Sequence, residues 1–306
     1  MLIIGENIHI ISPRVKEAIE NRDAKFIQTL ALKQVKAGAG ILDLNIGPQK
    51  KRGTEIMPWI VETVQAVTDV PLSLDTTNVA AMEAGLRVCK KPALLNSASA
   101  DPARLDPVMD LAAKYNASVI ALTMGVDGIP STADGRTAIA METLLPKAES
   151  LGIPPKRVFL DPLVLTVNGN QDVAQETVNA IRVFKQLSDP PPMTVVGLSN
   201  ISNSCPNEIR SLINRTFMVM LMAAGLDSAI ADPLDKKLME FIRVVESRDT
   251  ATPMGRLIVA LYDATAAMED LDPGLVDRND QEQVEFFKTC QILKNQIIYA
   301  HSYLRI

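Results

Sequence analysis

Asp75, Asn96, Asp161 and Asn200 each stand at the polar end of a short apolar run. The runs are Leu72-Ser-Leu74, Ala93-Leu-Leu95, Val158-Phe-Leu160 and the stretch from Met193 to Ser199. A carboxylate can accept two parallel hydrogen bonds from an amino-pyrimidinone edge, and a carboxamide both donates and accepts. Two of each suit a flat heterocycle with a donor-and-acceptor edge, and would reject analogues that leave these groups unpaired. An Asp or Asn after a strand is also the ordinary cap of the next helix. Asp101, before Pro102, and Asp232 are assigned that capping or supporting part. Four such coincidences favour a shared site over four caps. No strand-end lysine is present for Schiff-base chemistry. The two histidines, His9 and His301, and the scattered Cys89, Cys205 and Cys290 offer no metal-binding spacing, so no bound metal is expected.

The elements that must position these groups repeat one device. Leu2-Ile-Ile-Gly5 ends on Glu6, Ile41-Leu42 leads to Asp43 and Asn45, Val119–Leu122 ends on Thr123, and Ser228–Ala231 ends on Asp232. Continuous apolar runs mark strands covered on both faces, as in a parallel sheet. Helix-length amphipathic segments separate them. The pattern predicts an α/β chain folded as a (β/α)8 TIM barrel, its site on the C-terminal face. Strands are expected to stop at Glu6 and Asn200, and a helical pattern over 13–37 breaks near 21–23. The glycine-bearing loop 124–130 suits a lid or substrate contact, and Lys50-Lys51-Arg52 reads as a solvated loop tip. Residues 246–281 exceed what eight units require. They hold a helix at 256–269, and a last helix is expected at 281–300. Ile258, Leu261, Tyr262 and Thr265 line one face of the first, and Phe286, Cys290, Leu293 and Ile297 one face of the second. A self-association surface and packing on the barrel are both open to these stripes.

The 306 residues fit one barrel domain over 1–306 with that insertion. A net charge of −5, no basic run beyond the triplet at 50–52, and 4% aromatics with one tryptophan argue against a nucleic-acid or anionic-membrane partner. The cysteine usage suits a reducing compartment. The N-terminus lacks a basic leader and no run is long enough to span a bilayer, so a cytoplasmic protein is expected.

Leu74-Asp75-Thr-Thr-Asn78, Leu95-Asn96-Ser97, Asp161-Pro162-Leu163 and Gly197-Leu-Ser-Asn200 together resemble the pterin-binding barrel. Leu122-Thr-Met124, Leu212–Phe217 and Ser228–Asp232 add to the likeness. The chain looks most like the methyltetrahydrofolate:corrinoid/iron–sulfur protein methyltransferase family, related to the folate domain of methionine synthase. The resemblance spans residue 1 to about 245, returns in the last helix, and departs at 246–281. It implies that Asp75, Asn96 and Asp161 bind the pterin's pyrimidine edge and that Asn200, the catalytic residue, lies beside N5. By the same resemblance Asn203 and Arg210 flank the substrate, Glu6, Asp43 and Asn45 line the pocket floor, and Met124 adds a weaker contact. The implied substrates are methyltetrahydrofolate or tetrahydrofolate and a corrinoid (cobalamin) carried by a partner protein, such as a corrinoid/iron–sulfur protein. A homodimer is implied too. The direction of transfer stays open. Two other readings are a dihydropteroate synthase-like enzyme and a non-catalytic folate-binding protein. The former family carries a strand-seven lysine where this chain has Asn200, and a basic C-terminal motif poorly matched by His301-Ser-Tyr-Leu-Arg305.

Overall fold

The computed structural model describes residues 1–305. Eight parallel strands close a barrel in sequence order. They are β1 (Leu2–His9), β2 (Ile41–Asn45), β3 (Leu72–Asp75), β4 (Leu94–Ser99), β5 (Ser118–Leu122), β6 (Val158–Asp161), β7 (Met193–Gly197) and β8 (Ser228–Ala231). Closure runs from Leu2 opposite Ser228 to Gly5 opposite Ala231. This is the TIM barrel that the apolar runs predict. The middle of the barrel is filled by Ile4, Ile41, Leu94, Ile120, Phe159 and Val195. Two larger cores lie between the sheet and the surrounding helices.

Register turns this packing into a site. Side chains alternate across a strand, so the residue two beyond each inward apolar one also points inward, a layer higher. Above Ile4, Ile41, Leu94 and Phe159 that layer is Glu6, Asp43, Asn96 and Asp161. Asn45 pairs with Asp75, and Asp75 with Asn96, so three polar residues stand in a row across β2, β3 and β4.

The structure departs from expectation at four places. β1 does not stop at Glu6. It continues to His9 through a register shift between Gly5 and Ile8. The Asn7 N–H donates to Oε1 of the buried Gln34 at 3.0 Å, which satisfies backbone that the shift frees. β7 ends at Gly197, and Leu198–Ser202 form a 3-10 turn, so Ser199 and Asn200 ride on a turn rather than a strand. The last helix is Gln281–Leu293, not 281–300, and left-handed Asn295 follows its end. The loop after β5 is a tight hairpin in which Gly125 and Gly128 exchange N–H···O bonds at 3.1 Å.

The helical break near 21–23 is present. Pro13–Glu20 ends before left-handed Arg22, and Asp23 caps Ala24–Lys36 by accepting from the Phe26 N–H at 3.0 Å. Within the extra segment, helix Pro253–Ala266 starts under a Thr252 cap. Its Leu257, Ile258 and Leu261 join the core that also holds Ile213, Phe217 and Leu221 of helix Asn207–Ala223. Phe286, Cys290 and Leu293 of the last helix lie in the same core. Both apolar stripes therefore face the chain's own interior. No helix among the described residues is long and apolar enough to cross a membrane.

Candidate active site

The C-terminal ends of the strands surround an open cavity of about 850 Å³. Glu6, Asp43, Asn45, Asp75, Asn96, Asp161, Asn200, Asn203 and Arg210 all line it. Met124 does not. Leu122 takes the inward place on β5, and the Met124 carbonyl accepts from the Ala100 N–H at 2.8 Å, tying that segment to the end of β4.

The carboxylates are held by neutral donors. Asp43 Oδ1 accepts from Ser73 Oγ at 2.5 Å and from Asn96 Nδ2 at 3.2 Å. Asn45 Nδ2 donates to Asp75 Oδ2, while Asn45 Oδ1 accepts from the Gly47 N–H at 3.0 Å. Asp161 Oδ1 accepts from the Leu163 N–H at 2.7 Å, across a backbone held left-handed at Leu163. Glu6 Oε1 accepts from Ser199 Oγ at 2.5 Å. Each carboxylate keeps unfilled lone pairs for a ligand.

Burial dominates the electrostatics. It raises Asp43 well above the usual carboxylate range, and the neighbouring Asp75 charge adds to the rise. Asp75 is raised chiefly by burial, against the Asn45 hydrogen bond and the Arg104 charge. Burial pushes Asp161 up to about 7, opposed by the Leu163 N–H and the Arg136 charge. Glu6 is raised by burial too, against its bond from Ser199. These are groups poised to give up a proton when a cationic or donor-rich ligand arrives.

Two arginines behind the wall set the frame. Arg104 donates to the carbonyls of Ser97 at 2.6 Å, Thr77 at 3.0 Å and Thr76 at 2.8 Å, which ties the loop leaving β3 to β4. Arg136 is fully buried and donates to the Pro130 carbonyl at 3.0 Å and Thr177 Oγ1 at 2.9 Å. Neither has a signal in the linear pattern, because each reaches the site from a helix.

Other lining residues escape sequence reasoning for legible reasons. Asn7 and His9 belong to the part of β1 beyond its expected end. Ser199 directly precedes Asn200 and reads only as the tip of the expected strand. Asn207, Ser211 and Asn214 recur at helical spacing with the expected Arg210, and together they present one polar face of helix Asn207–Ala223 to the cavity. That spacing could have found them. Asp232, expected as a cap or support, accepts from Asn7 Nδ2 and from the Leu234 N–H, both at 2.9 Å, and also lines the cavity. Asp101 caps its helix, accepting from the Ala103 N–H at 3.0 Å.

A closed parallel barrel with carboxylates and carboxamides converging at its C-terminal mouth defines the class: a TIM-barrel protein with a polar cavity at the strand ends. The pterin binding enzyme family matches residues 12–232, and the chain belongs to that family. It is 31% identical over 241 residues to the methylcorrinoid:tetrahydrofolate methyltransferase of Eubacterium limosum, covering 78% of this chain and 88% of that protein. It is 28% identical over 261 residues to methionine synthase of Mycobacterium leprae, covering 82% of this chain and 21% of the much longer relative. Among solved structures, dihydropteroate synthase of Thermus thermophilus superposes with a TM-score of 0.58 at 19% identity, over 80% of this chain and 93% of that one. The enzyme from Vibrio fischeri gives 0.59 at 17% identity, over 81% and 94%. At that identity the likeness is one of fold.

Proposed function

We propose that this protein is a methyltransferase that moves a methyl group between N5 of methyltetrahydrofolate and the cobalt of a corrinoid carried by a partner protein. The observation that supports it most is the acidic lining of the cavity. Glu6, Asp43, Asp75, Asp161 and Asp232 line it, together with Arg210, and no lysine is among its lining residues. Carboxylates that ionise as a donor-rich ligand arrives favour a pterin bearing positive charge at N5, and a wall without lysine offers little to a diphosphate.

N5 is a tertiary amine and a poor leaving group until it carries positive charge. In transfer to the corrinoid, cobalt(I) supplies the electron pair of the new cobalt–carbon bond and becomes methylcobalt(III). The pair of the broken carbon–nitrogen bond stays on N5, which keeps the proton it took up. Asp75, Asn96 and Asp161 bind the pyrimidine edge and fix the ring. Asn200 cannot act as an acid, but its carboxamide oxygen can accept from a protonated N5 and strengthen that contact in the transition state. Asn203 and Arg210 flank the substrate, and Glu6, Asp43 and Asn45 form the floor. The open mouth leaves cobalt a route to N5. The E. limosum relative's name has methylcorrinoid as donor; the reverse transfer uses the same atoms at the same site.

The partner in this reading is a corrinoid protein, with a corrinoid/iron–sulfur protein as one candidate. The chain works as a single barrel unit over 1–306, pairs as a homodimer, and resides in the cytoplasm, where its free Cys89, Cys205 and Cys290 stay reduced. The structural likeness to dihydropteroate synthase keeps a second reading testable. The protein is incubated with methyltetrahydrofolate and cob(I)alamin, and separately with a pterin diphosphate and p-aminobenzoate. Formation of methylcobalamin in the first mixture alone is expected. Condensation in the second would replace this reading, and folate binding without turnover in either would mark a non-catalytic binding protein.

A further inference from the structure

The turn after β7 holds Asn200 by contacts that its place at the end of a strand would not require. Asn203 Nδ2 donates to Asn200 Oδ1 at 3.1 Å, and the Asn203 N–H donates to the Asn200 carbonyl at 3.1 Å. Asn203 is itself fixed from a different loop: Thr166 Oγ1, beyond β6, donates to the Asn203 carbonyl at 2.5 Å. The same hydroxyl accepts from the Asn168 N–H at 3.2 Å, so it is anchored within its own loop. On the other side, a Cβ at Gly197 would lie 2.9 Å from Asn200 Nδ2. The Gly197 backbone, at φ −80° and ψ 89°, is open to other residues, so a glycine there serves space rather than conformation.

Both ends of the carboxamide are thus accounted for. Its oxygen is held by Asn203, and its nitrogen occupies the gap over Gly197. An exposed asparagine on a short turn otherwise has several rotamers, and fixing one removes that entropy before the substrate arrives. We infer that Thr166 and Asn203 form a latch, across the loops that follow β6 and β7, that orients the Asn200 carboxamide over Gly197. Thr166 is a positioning residue: it acts through Asn203 on Asn200. The inference rests on Asn200 being the group beside N5.

The test separates positioning from structural support. Single-turnover methyl transfer to cob(I)alamin and calorimetric binding of methyltetrahydrofolate are measured for Thr166→Val, Thr166→Ser and Gly197→Ala. Thr166→Val should slow transfer by about fivefold or more while folate affinity stays within about twofold, and Thr166→Ser should restore the rate. Gly197→Ala should slow transfer in the same way, since its methyl group displaces Asn200. The deciding comparison adds Thr166→Val to Asn200→Ala. With the target of the latch gone, the second change should cost less than about twofold. An equal cost in both backgrounds, or wild-type rates in Thr166→Val and Gly197→Ala, overturns the latch. Wild-type transfer by Asn200→Ala alone overturns instead the reading of Asn200 on which the latch rests.

Discussion

At the scale of single residues, the site is a set of buried carboxylates that carry neutral donors but no permanent countercharge in direct contact. Asp161 shows what that means for binding. Burial pushes it up to about 7, so it is largely protonated in the free protein at pH 6. A pterin edge presents donors that need the anion, so binding at pH 6 should expel a proton and at pH 8 should not. Calorimetry in two buffers of different ionisation enthalpy reads this directly, and Asp161→Asn should reduce the difference, the remainder coming from the other raised carboxylates of the cavity. Asp161→Ala and Asp75→Ala should each weaken folate binding by about 1–3 kcal/mol, the cost of leaving paired donors unmatched at the buried floor of the cavity. Unchanged affinity in both variants would return these residues to a merely structural role. The strand-end lining, Glu6, Asp43, Asp75, Asn96 and Asp161, is legible in sequence because each of these residues ends an apolar run. Met124 falls outside the cavity because β5 ends at Leu122, so strand alternation no longer governs Met124, whose carbonyl is tied to the Ala100 N–H.

At the scale of elements, parity decides what enters the cavity, and β1 is where parity is most fragile. Its register shift carries the strand to His9, bringing Asn7 and His9 to the cavity. Gln34, from helix Ala24–Lys36, supports this by taking the Asn7 N–H at 3.0 Å, and a Cβ at Gly5 would lie 2.5 Å from its Oε1. Gln34→Leu leaves that half-buried N–H unpaired and should cost about 1–3 kcal/mol in denaturant unfolding. A loss within experimental error would show that water or another carbonyl fills the role. Sequence could not reveal the shift, since bulges arise from contacts between elements rather than from local preference. The strand positions, by contrast, are legible throughout, because each buried parallel strand is a plain apolar run. The overextended last helix has the opposite cause: apolar Ile297 and Ile298 continue the pattern after Asn295 has already turned left-handed.

For the whole molecule, the segment beyond the eighth unit belongs to the outer helical layer. Its stripe of Ile258, Leu261 and Thr265 is buried, and Ile258 and Leu261 share the core with Phe217 and Phe286. Helical spacing places the stripe correctly; only the tertiary fold shows that this chain's own helices cover it. Deleting residues 248–278 should therefore uncover that core and abolish cooperative unfolding. A deletion variant that melts like the parent would show that the segment is dispensable to the barrel and free for another partner. The homodimer proposed above then draws on other surfaces, and light scattering of the intact chain tests it. What the fold offers at its mouth is an acidic, open cup with one asparagine on a braced turn. The most direct test of that account is stopped-flow single turnover with cob(I)alamin and saturating methyltetrahydrofolate, comparing wild type with Asn200→Ala. The account predicts formation of methylcobalt in wild type and a barrier raised by about 2–4 kcal/mol in the variant, the range for removing one preorganised hydrogen-bond partner. Wild-type protein that binds folate yet leaves cobalt(I) unchanged, or a variant slowed by less than about tenfold, would contradict it.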